Sequence, residues 1–269
     1  MLELTQVMKM KKRKNFIIGK IAVIAMLLVV VVTSSYLFKL YSDKQIESQT
    51  NLQKIRLGKE KTENQHLKID KEKLSSIDNV MIVAHPDDET FWAGSYLEKE
   101  DFLVICLTNG DNEVRKNEFQ TAMKATNDYG IILNYPDNTN HVISNWAKEK
   151  KSIEKDISYI LHYKKWKKIV THNPDGEYGH IHHKMTSSIV MKECVKDNMS
   201  DYLFYFEKYY TKEYINNHTL AIELSSKESN NKNVRMRDIY RSQSYSYKKF
   251  KHMIPYEKLI PYSQWEIAE

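Results

Sequence analysis

Four short apolar runs, at residues 79–83, 102–107, 131–133 and 168–171, each lead straight into a polar cluster, and stretches of helical period lie between them. Runs of that length rich in β-branched residues read as strands buried on both faces. The segments between, 90–99, 114–129 and 147–166, read as helices. Within the second, Phe119, Ala122 and Met123 recur near i, i+3, i+4 spacing and Gly130 supplies a stop. A further helix is expected over 183–195, strands over 202–206 and 219–224, and a last helix over 235–250. Strand and helix in alternation imply a mostly parallel sheet with helices on both faces. In such a sheet ligands bind beyond the carboxyl ends of the strands. The polar clusters of this chain, 85–89, 108–113, 135–138 and 172–183, fall at those ends.

The 269 residues suffice for one α/β domain of this Rossmann-like kind plus an appendage. The appendage is N-terminal. Residues 16–38 carry one charge, Lys20, and 21–32 are uninterrupted apolar sequence. A helix of that length spans a hydrocarbon core of about 30 Å. Tyr36 and Tyr41 flank one end, and Lys9, Lys11, Lys12, Arg13 and Lys14 precede the other. That arrangement predicts one N-terminal transmembrane helix with its tail in the cytoplasm, a single pass through the cell membrane, and an extracytoplasmic body. A cleaved signal peptide is the competing reading, but Thr33-Ser34-Ser35 makes a poor cleavage site and the apolar run is long. The expected organisation is a basic tail over 1–15, an anchor over 16–38, a polar stalk over 39–74 and the α/β domain over 75–269.

Charge separates along the same boundary. Residues 1–74 hold 15 Lys/Arg against 7 Asp/Glu, and residues 75–269 hold 26 against 28. Phosphate contacts supply most of the affinity of nucleic-acid enzymes, so a body without basic excess argues against a nucleic-acid partner. The two cysteines, Cys106 and Cys194, make neither a disulfide framework nor a cysteine-rich metal site.

Chemistry concentrates in two clusters. His85-Pro86-Asp87-Asp88-Glu89 follows the first strand, and Gly179-His180-Ile181-His182-His183 follows the fourth. Imidazole nitrogen and carboxylate oxygen form the ligand set of catalytic zinc sites, where an open position is left for water and substrate. Taken singly, the first cluster is also a turn in which Asp87 or Asp88 caps the next helix, and the second is also a polar surface loop. Their placement at two strand ends on one sheet edge allows them to converge.

These motifs resemble those of the PIG-L (LmbE-like) zinc-dependent N-acetylglucosamine deacetylases. The family's Ala-His-Pro-Asp-Asp-Glu matches residues 84–89 throughout, and its Gly-His-Pro-Asp-His is echoed by residues 179–183. Arg115 with Glu118, and Arg241-Ser242-Gln243, echo weaker features, so the likeness covers roughly residues 78 to 245. By resemblance His85, Asp88 and His183 bind zinc, Asp87 is the general base, a cationic His180 steadies the oxyanion, and either His180 or Asp87, once it has taken the proton, protonates the departing amine. Arg115 and Asp137 are candidate sugar contacts. Ile181 and His182 depart from the family's Pro and Asp. Two His and one carboxylate suit Zn²⁺ and also Fe²⁺. His172 reads as a residue supporting a ligand or a surface histidine, Glu89 as a helix cap or a substrate contact, and Phe91 and Trp92 as core residues or a sugar platform.

The resemblance implies a hydrolase that removes the acetyl group from an N-acetylglucosamine-type sugar on a cell-surface glycan or lipid-linked saccharide. A membrane-tethered glycan-binding protein on an inactive fold of this kind, or another metal-dependent hydrolase, would share the features above. The intact Asp87 weighs against the first. The small number of ligands weighs against two-metal phosphoesterases. The absence of G-x-G-x-x-G after the first strand weighs against a dinucleotide-binding protein.

Overall fold

The computed structural model describes residues 39, 67, 69–139 and 142–265. The chain divides into two units, 1–59 and 60–269, and every described residue except Lys39 belongs to the second. The basic tail, the expected anchor over 16–38 and most of the stalk lie outside the described residues. Among the described residues no helix is long and apolar enough to cross a membrane.

The second unit is built on a six-stranded sheet of order β3-β2-β1-β6-β7-β8. Its strands are β1 (Asn79–Val83), β2 (Phe102–Thr108), β3 (Tyr129–Tyr135), β6 (Lys168–Thr171), β7 (Leu203–Phe206) and β8 (Leu259–Pro261). All neighbours pair in parallel except β7 and β8. A two-stranded antiparallel pair, β4 (Asn138–Thr139) and β5 (Val142–Ile143), stands apart after β3. The mostly parallel α/β class read from the alternation is the observed one.

Alternation within single strands builds two cores. Val80 and Ile82 of β1, with Leu103 and Ile105 of β2, face a layer holding α4 (Lys150–Leu161) and α6 (Ile181–Lys196). Met81 and Val83, with Val104 and Cys106, face the other layer. That layer holds α2 (Asp88–Leu97), α3 (Glu113–Thr126), α8 (Ser226–Asp238) and α9 (Ser244–Phe250). Successive side chains of a strand point to opposite faces, so a strand covered on both sides must be apolar throughout. β2 is buried at every position.

Several boundaries differ from the sequence reading. Leu67 and Leu74, assigned to the stalk, are buried with the sheet, so the folded body begins before residue 75. Leu74 sits in α1 (Lys71–Ser75), whose first turn is capped by the Asp70 carboxylate accepting from the Glu72 and Lys73 N–H groups. α3 ends at Thr126, four residues before Gly130, because Asn127 adopts the left-handed cap at φ 63°. Gly130 lies inside β3, where a Cβ would come within 2.4 Å of Met123 Cγ, so its role is close helix–strand packing. The helix expected over 147–166 is shorter, and Trp146, at φ 51°, precedes it.

The C-terminal third departs most. Residues 219–224 form no strand: the Glu223 and Leu224 N–H groups both donate to the Pro255 carbonyl, and Ile222 is exposed. The strand of this region is β8, at the sheet edge. The single helix expected over 235–250 is two helices, α8 and α9. Between them the Tyr240 hydroxyl donates to Glu89, and the Ser242 N–H and hydroxyl donate to Glu118 at 2.8 and 2.6 Å. α8 starts early, at a capping box of Ser225 and Glu228. It docks on α2 through buried polar groups: Lys232 meets Glu257 at 2.5 Å, and Arg235 donates to the Gly94 carbonyl at 2.7 Å.

Asp128 ties the end of α3 to β2, accepting from the Phe102 N–H at 2.8 Å and the Thr126 hydroxyl at 2.5 Å. Burial pushes its carboxyl up to about 7, against those two hydrogen bonds. In the unfolded chain the same group titrates near about 3.9, so between the two values the folded state holds the extra proton. Asp128 therefore contributes stability that is full below about pH 4 and is lost as pH rises through about 7. We expect Asp128→Asn to flatten that decline in a series of thermal midpoints from pH 4 to 8; an unaltered slope would refute the assignment.

Candidate active site

β1 is bonded to β2 on one side and β6 on the other, and the loops leaving these strands diverge at their carboxyl ends. Such a switch point opens a crevice. The loop after β1 carries His85, Asp87 and Asp88; the one after β3 carries Asp137; the one after β6 carries His172, Glu177 and His180, and leads into His182 and His183 on α6. A cavity of about 390 Å³ opens there, lined by His85, Asp87, Asp88, Arg115, Asp137 and His180. Its other wall is aromatic. Phe91 and Trp92 line it while also packing in the core, and the Tyr178 ring stacks on Phe250 at 4.3 Å. Phe91 and Trp92 are thus core residues that also face the cavity.

The three expected ligands converge. His85 Nδ1 is 3.2 Å from Asp88 Oδ2 and 3.2 Å from His183 Nε2, and His183 Nε2 is 3.3 Å from Asp88 Oδ1. Metal bonds of about 2.0–2.1 Å at tetrahedral angles place donor atoms about 3.3–3.4 Å apart. The proton positions point the same way. His183 Nδ1 meets Glu177 Oε2 at 2.5 Å, which places its proton there and leaves the Nε2 lone pair facing the cluster. His85 Nε2 faces His182 Nδ1 at 3.1 Å and Asp137 Oδ1 at 3.4 Å, which leaves Nδ1 facing the cluster. Three lone-pair atoms at van der Waals contact repel one another unless a cation sits among them. Burial opposes a charge on His85 and His183, but Asp137 and Asp88 outweigh it for His85, as Asp88 and Glu177 do for His183, raising both. A proton and a metal ion would compete for the same lone pairs.

Other donor groups overlap this one: His85 with His180 and His183, His85 with Asp137 and His182, and Asp88 with His172 and His183. His172 is already committed, since its Nε2 accepts from the Ala84 N–H at 3.0 Å and its Nδ1 faces Glu177 at 3.0 Å. Its ring stacks on His183 at 3.8 Å, so it supports a ligand. A fourth group, His162, Glu193 and Asp197, lies at the helix ends beyond the other sheet edge, where Lys196 pairs with both carboxylates.

Glu177 is the residue the sequence reading missed. Its carboxylate is fully buried, bridges His172 and His183, and accepts the Asn173 N–H at 3.0 Å. Burial would lift it, but the two histidines pull it down to about 2. Its backbone sits at φ 53°, between Gly176 and Gly179 at φ 65° and 93°. That strained turn aims the carboxylate inward. Glu177 shares the stretch between His172 and His180 with Asp175, and the available signal was a carboxylate among histidines, because a ligating imidazole needs an acceptor on its other nitrogen.

Asp87 caps nothing through its side chain. It sits at φ 112°, with the Arg115 guanidinium 3.7 Å from Oδ1 and donating to the Pro86 carbonyl at 2.6 Å. Burial pushes its carboxyl up to about 8, against the pull of Arg115 and with the repulsion of Asp88 and Glu89. Glu89 is buried beneath, accepting from Tyr240, Thr90 and the N–H of the N-cap residue Asp87, so it braces the first turn of α2 and does not line the cavity. His180 is at the cavity mouth, but burial and the neighbouring His85 and His183 push it down to about 3, so the cationic form expected from the sequence is disfavoured. Its Nδ1 accepts the His182 N–H at 3.2 Å, which leaves an Nε2–H donor on a neutral ring. Asp137, expected as a sugar contact, also spends Oδ1 on His85 and receives Asn109 on Oδ2 at 3.1 Å. Those contacts hold its carboxyl below the usual range against burial.

The Glu177 bridge sets a test. Glu177→Gln removes the buried charge that fixes His172 and His183, and should cost about 3 kcal/mol of folding stability. It should also weaken zinc binding about ten- to a hundred-fold. Thermal melts and a competitive chelator titration read the two effects; a variant unchanged in both would remove Glu177 from the site.

Residues 80–194 match the PIG-L family, described as GlcNAc-PI de-N-acetylase. An uncharacterized protein of Acanthamoeba polyphaga mimivirus is 33% identical over 147 residues, which cover 48% of this chain and 62% of that protein. The chain thus spans less than two thirds of the length of that relative. The matched segment runs from β1 into the last turn of α6 and includes His85, Asp87, Asp88, Arg115, Asp137, His180 and His183. Residues 80–194 of this chain form a PIG-L family domain.

Proposed function

We propose that the chain is a zinc-dependent hydrolase that removes the acetyl group from an N-acetylglucosamine-type sugar. The observation that carries the reading is the convergence of His85 Nδ1, Asp88 and His183 Nε2 within 3.3 Å, beside a raised Asp87 and a cavity with an aromatic wall. A cavity of this size with few convergent polar groups suits a small ligand. Sugar rings present an apolar face to aromatic side chains, here Trp92, Tyr178 and Phe250.

Zinc bound by these three residues would polarise an amide carbonyl and lower the pKa of a coordinated water to about 7. The chain's own residues do the rest. Asp87, beside the ligand Asp88, takes the proton of the attacking water and carries it to the amine that departs. Its raised carboxyl suits both halves of that task, and Arg115 keeps it in place. The Nε2–H of neutral His180 offers a hydrogen bond to the oxyanion. Arg115 lines the cavity, so its guanidinium is within reach of a sugar there.

The test is acetate release from N-acetylglucosamine compounds by the full chain loaded with zinc. Asp87→Asn is the control, because Asn tolerates positive φ better than Ala. We expect release that requires zinc and falls about 10²- to 10⁴-fold in the variant with metal retained. A metal-loaded chain without release would sink the substrate class; an Asp87→Asn variant as fast as the natural chain would sink the base.

We further propose that residues 16–38 anchor the chain and that the body lies outside the cytoplasm. Their apolar length and the preceding basic cluster support this. The full chain should stay with membranes through an alkaline carbonate wash, and its body should be open to protease from outside. Release by the wash, or a mature chain starting beyond residue 33, would refute the anchor.

A further inference from the structure

His182 stands beside the proposed ligand His183, and the structure gives it a set of contacts that a carboxylate could not make. The ring is fully buried and stacks on Trp146 at 4.1 Å with an interplanar angle of 3°. Its Nε2 lies 2.6 Å from the Ser144 carbonyl, an acceptor only, so Nε2 carries the proton. Its Nδ1 is therefore a lone pair, and it lies 3.1 Å from His85 Nε2. That contact is a hydrogen bond only if His85 donates, which fixes the His85 proton on Nε2 and turns its Nδ1 lone pair toward Asp88 and His183. The chain Ser144 carbonyl, His182, His85 is consistent at every proton. Asp137 Oδ1, 3.4 Å from His85 Nε2 and 3.6 Å from His182 Nδ1, flanks the same proton.

We propose that His182 is a positioning residue, a neutral hydrogen-bond acceptor that sets the tautomer and ring angle of His85 for metal binding. The proposal rests on the metal site described above and deepens it. A carboxylate at this place would bring a negative charge to His85. A stacked imidazole instead gives orientation without charge, held by a ring face and a backbone carbonyl.

Two variants separate the ring from the acceptor. His182→Phe keeps a ring against Trp146 and lacks the acceptor; His182→Asn supplies an oxygen near the place of Nδ1 and lacks the ring. The full chain and both variants are titrated with zinc against a competing chelator, and the cobalt-substituted forms are compared by their visible spectra. Thermal melts of the metal-free proteins report folding. We expect one zinc per natural chain, binding weakened about ten- to a hundred-fold in His182→Phe with an altered cobalt spectrum, and most of the affinity and the natural spectrum restored in His182→Asn. Equal affinity and spectrum in a folded His182→Phe overturns the proposal alone, as does His182→Asn binding no better than His182→Phe. Two zinc ions per natural chain, one lost with His182, overturns it by making His182 a ligand of a second ion together with His85 Nε2 and Asp137. A natural chain that takes up no zinc overturns the hydrolase reading and this proposal together.

Discussion

Everything at the cavity depends on β1 pairing in parallel with β2 and β6 at once. The register sets Val83 beside Cys106 and Ile82 beside Thr171, so residues 84–88, 108–109 and 172–173 leave the sheet at one level. Side-chain bonds then lock the three exits together. The Thr108 hydroxyl and N–H both donate to the Ala84 carbonyl, and the Ala84 N–H donates to His172. Ala84 is thus held from both sides immediately before His85. His85, the candidate ligand of this cluster, is attached to backbone that bonds from both neighbouring strands hold in place.

Around this frame the chain spends conformational strain where the chemistry sits. Asp87 and Glu177 adopt positive φ without being glycine, one bearing the candidate base and the other the carboxylate beneath two histidines. Both conformations are over-determined by contacts. The Asp87 N–H is taken by Glu89, its carbonyl by the Phe91 N–H, and its neighbour Pro86 by Arg115. Glu177 donates its N–H to Asn173 Oδ1 while accepting the Asn173 N–H. Glu89 and Glu118 extend the bracing outward, to Tyr240 and Ser242, and so bring the C-terminal segment over the cavity.

The sequence was legible where burial is apolar and periodic. The bounds of β1 and β6 are those read from their apolar runs, and the two polar clusters at their ends meet as their strand positions imply. Legibility failed where burial is polar. α8, with the sequence Ser-Lys-Glu-Ser-Asn-Asn-Lys-Asn-Val-Arg-Met-Arg-Asp, has no apolar stripe, and what it buries on α2 includes Lys232 and Arg235, satisfied by Glu257, Glu98 and the Gly94 carbonyl. Residues 219–224 alternate like a strand, yet only Leu224 finds a core, and the backbone turns to Pro255. The site divides the same way. His85, Asp88 and His183 follow from motif and strand order, whereas Glu177 bonds His172 and His183 through a turn that no periodicity announces. The pairing of Glu118 with Ser242 joins two features that in sequence stand 124 residues apart.

The neutral ring of His182 also decides which residue answers for the charge near His85. With a neutral ring at 182, the acidic group within reach of the outer nitrogen of His85 is Asp137, from the loop after β3. Asn109, from the loop after β2, holds that carboxylate, and His85 draws it below the usual range. The orientation of His85 is thereby divided between a ring fixed by Trp146 and Ser144 and a carboxylate fixed by Asn109. Because Asp137 also lines the cavity, a sugar hydroxyl that bonds its carboxylate would act on the same proton that sets the His85 tautomer. Substrate contact and ligand geometry then share one oxygen, a coupling that a carboxylate at position 182 would have kept apart.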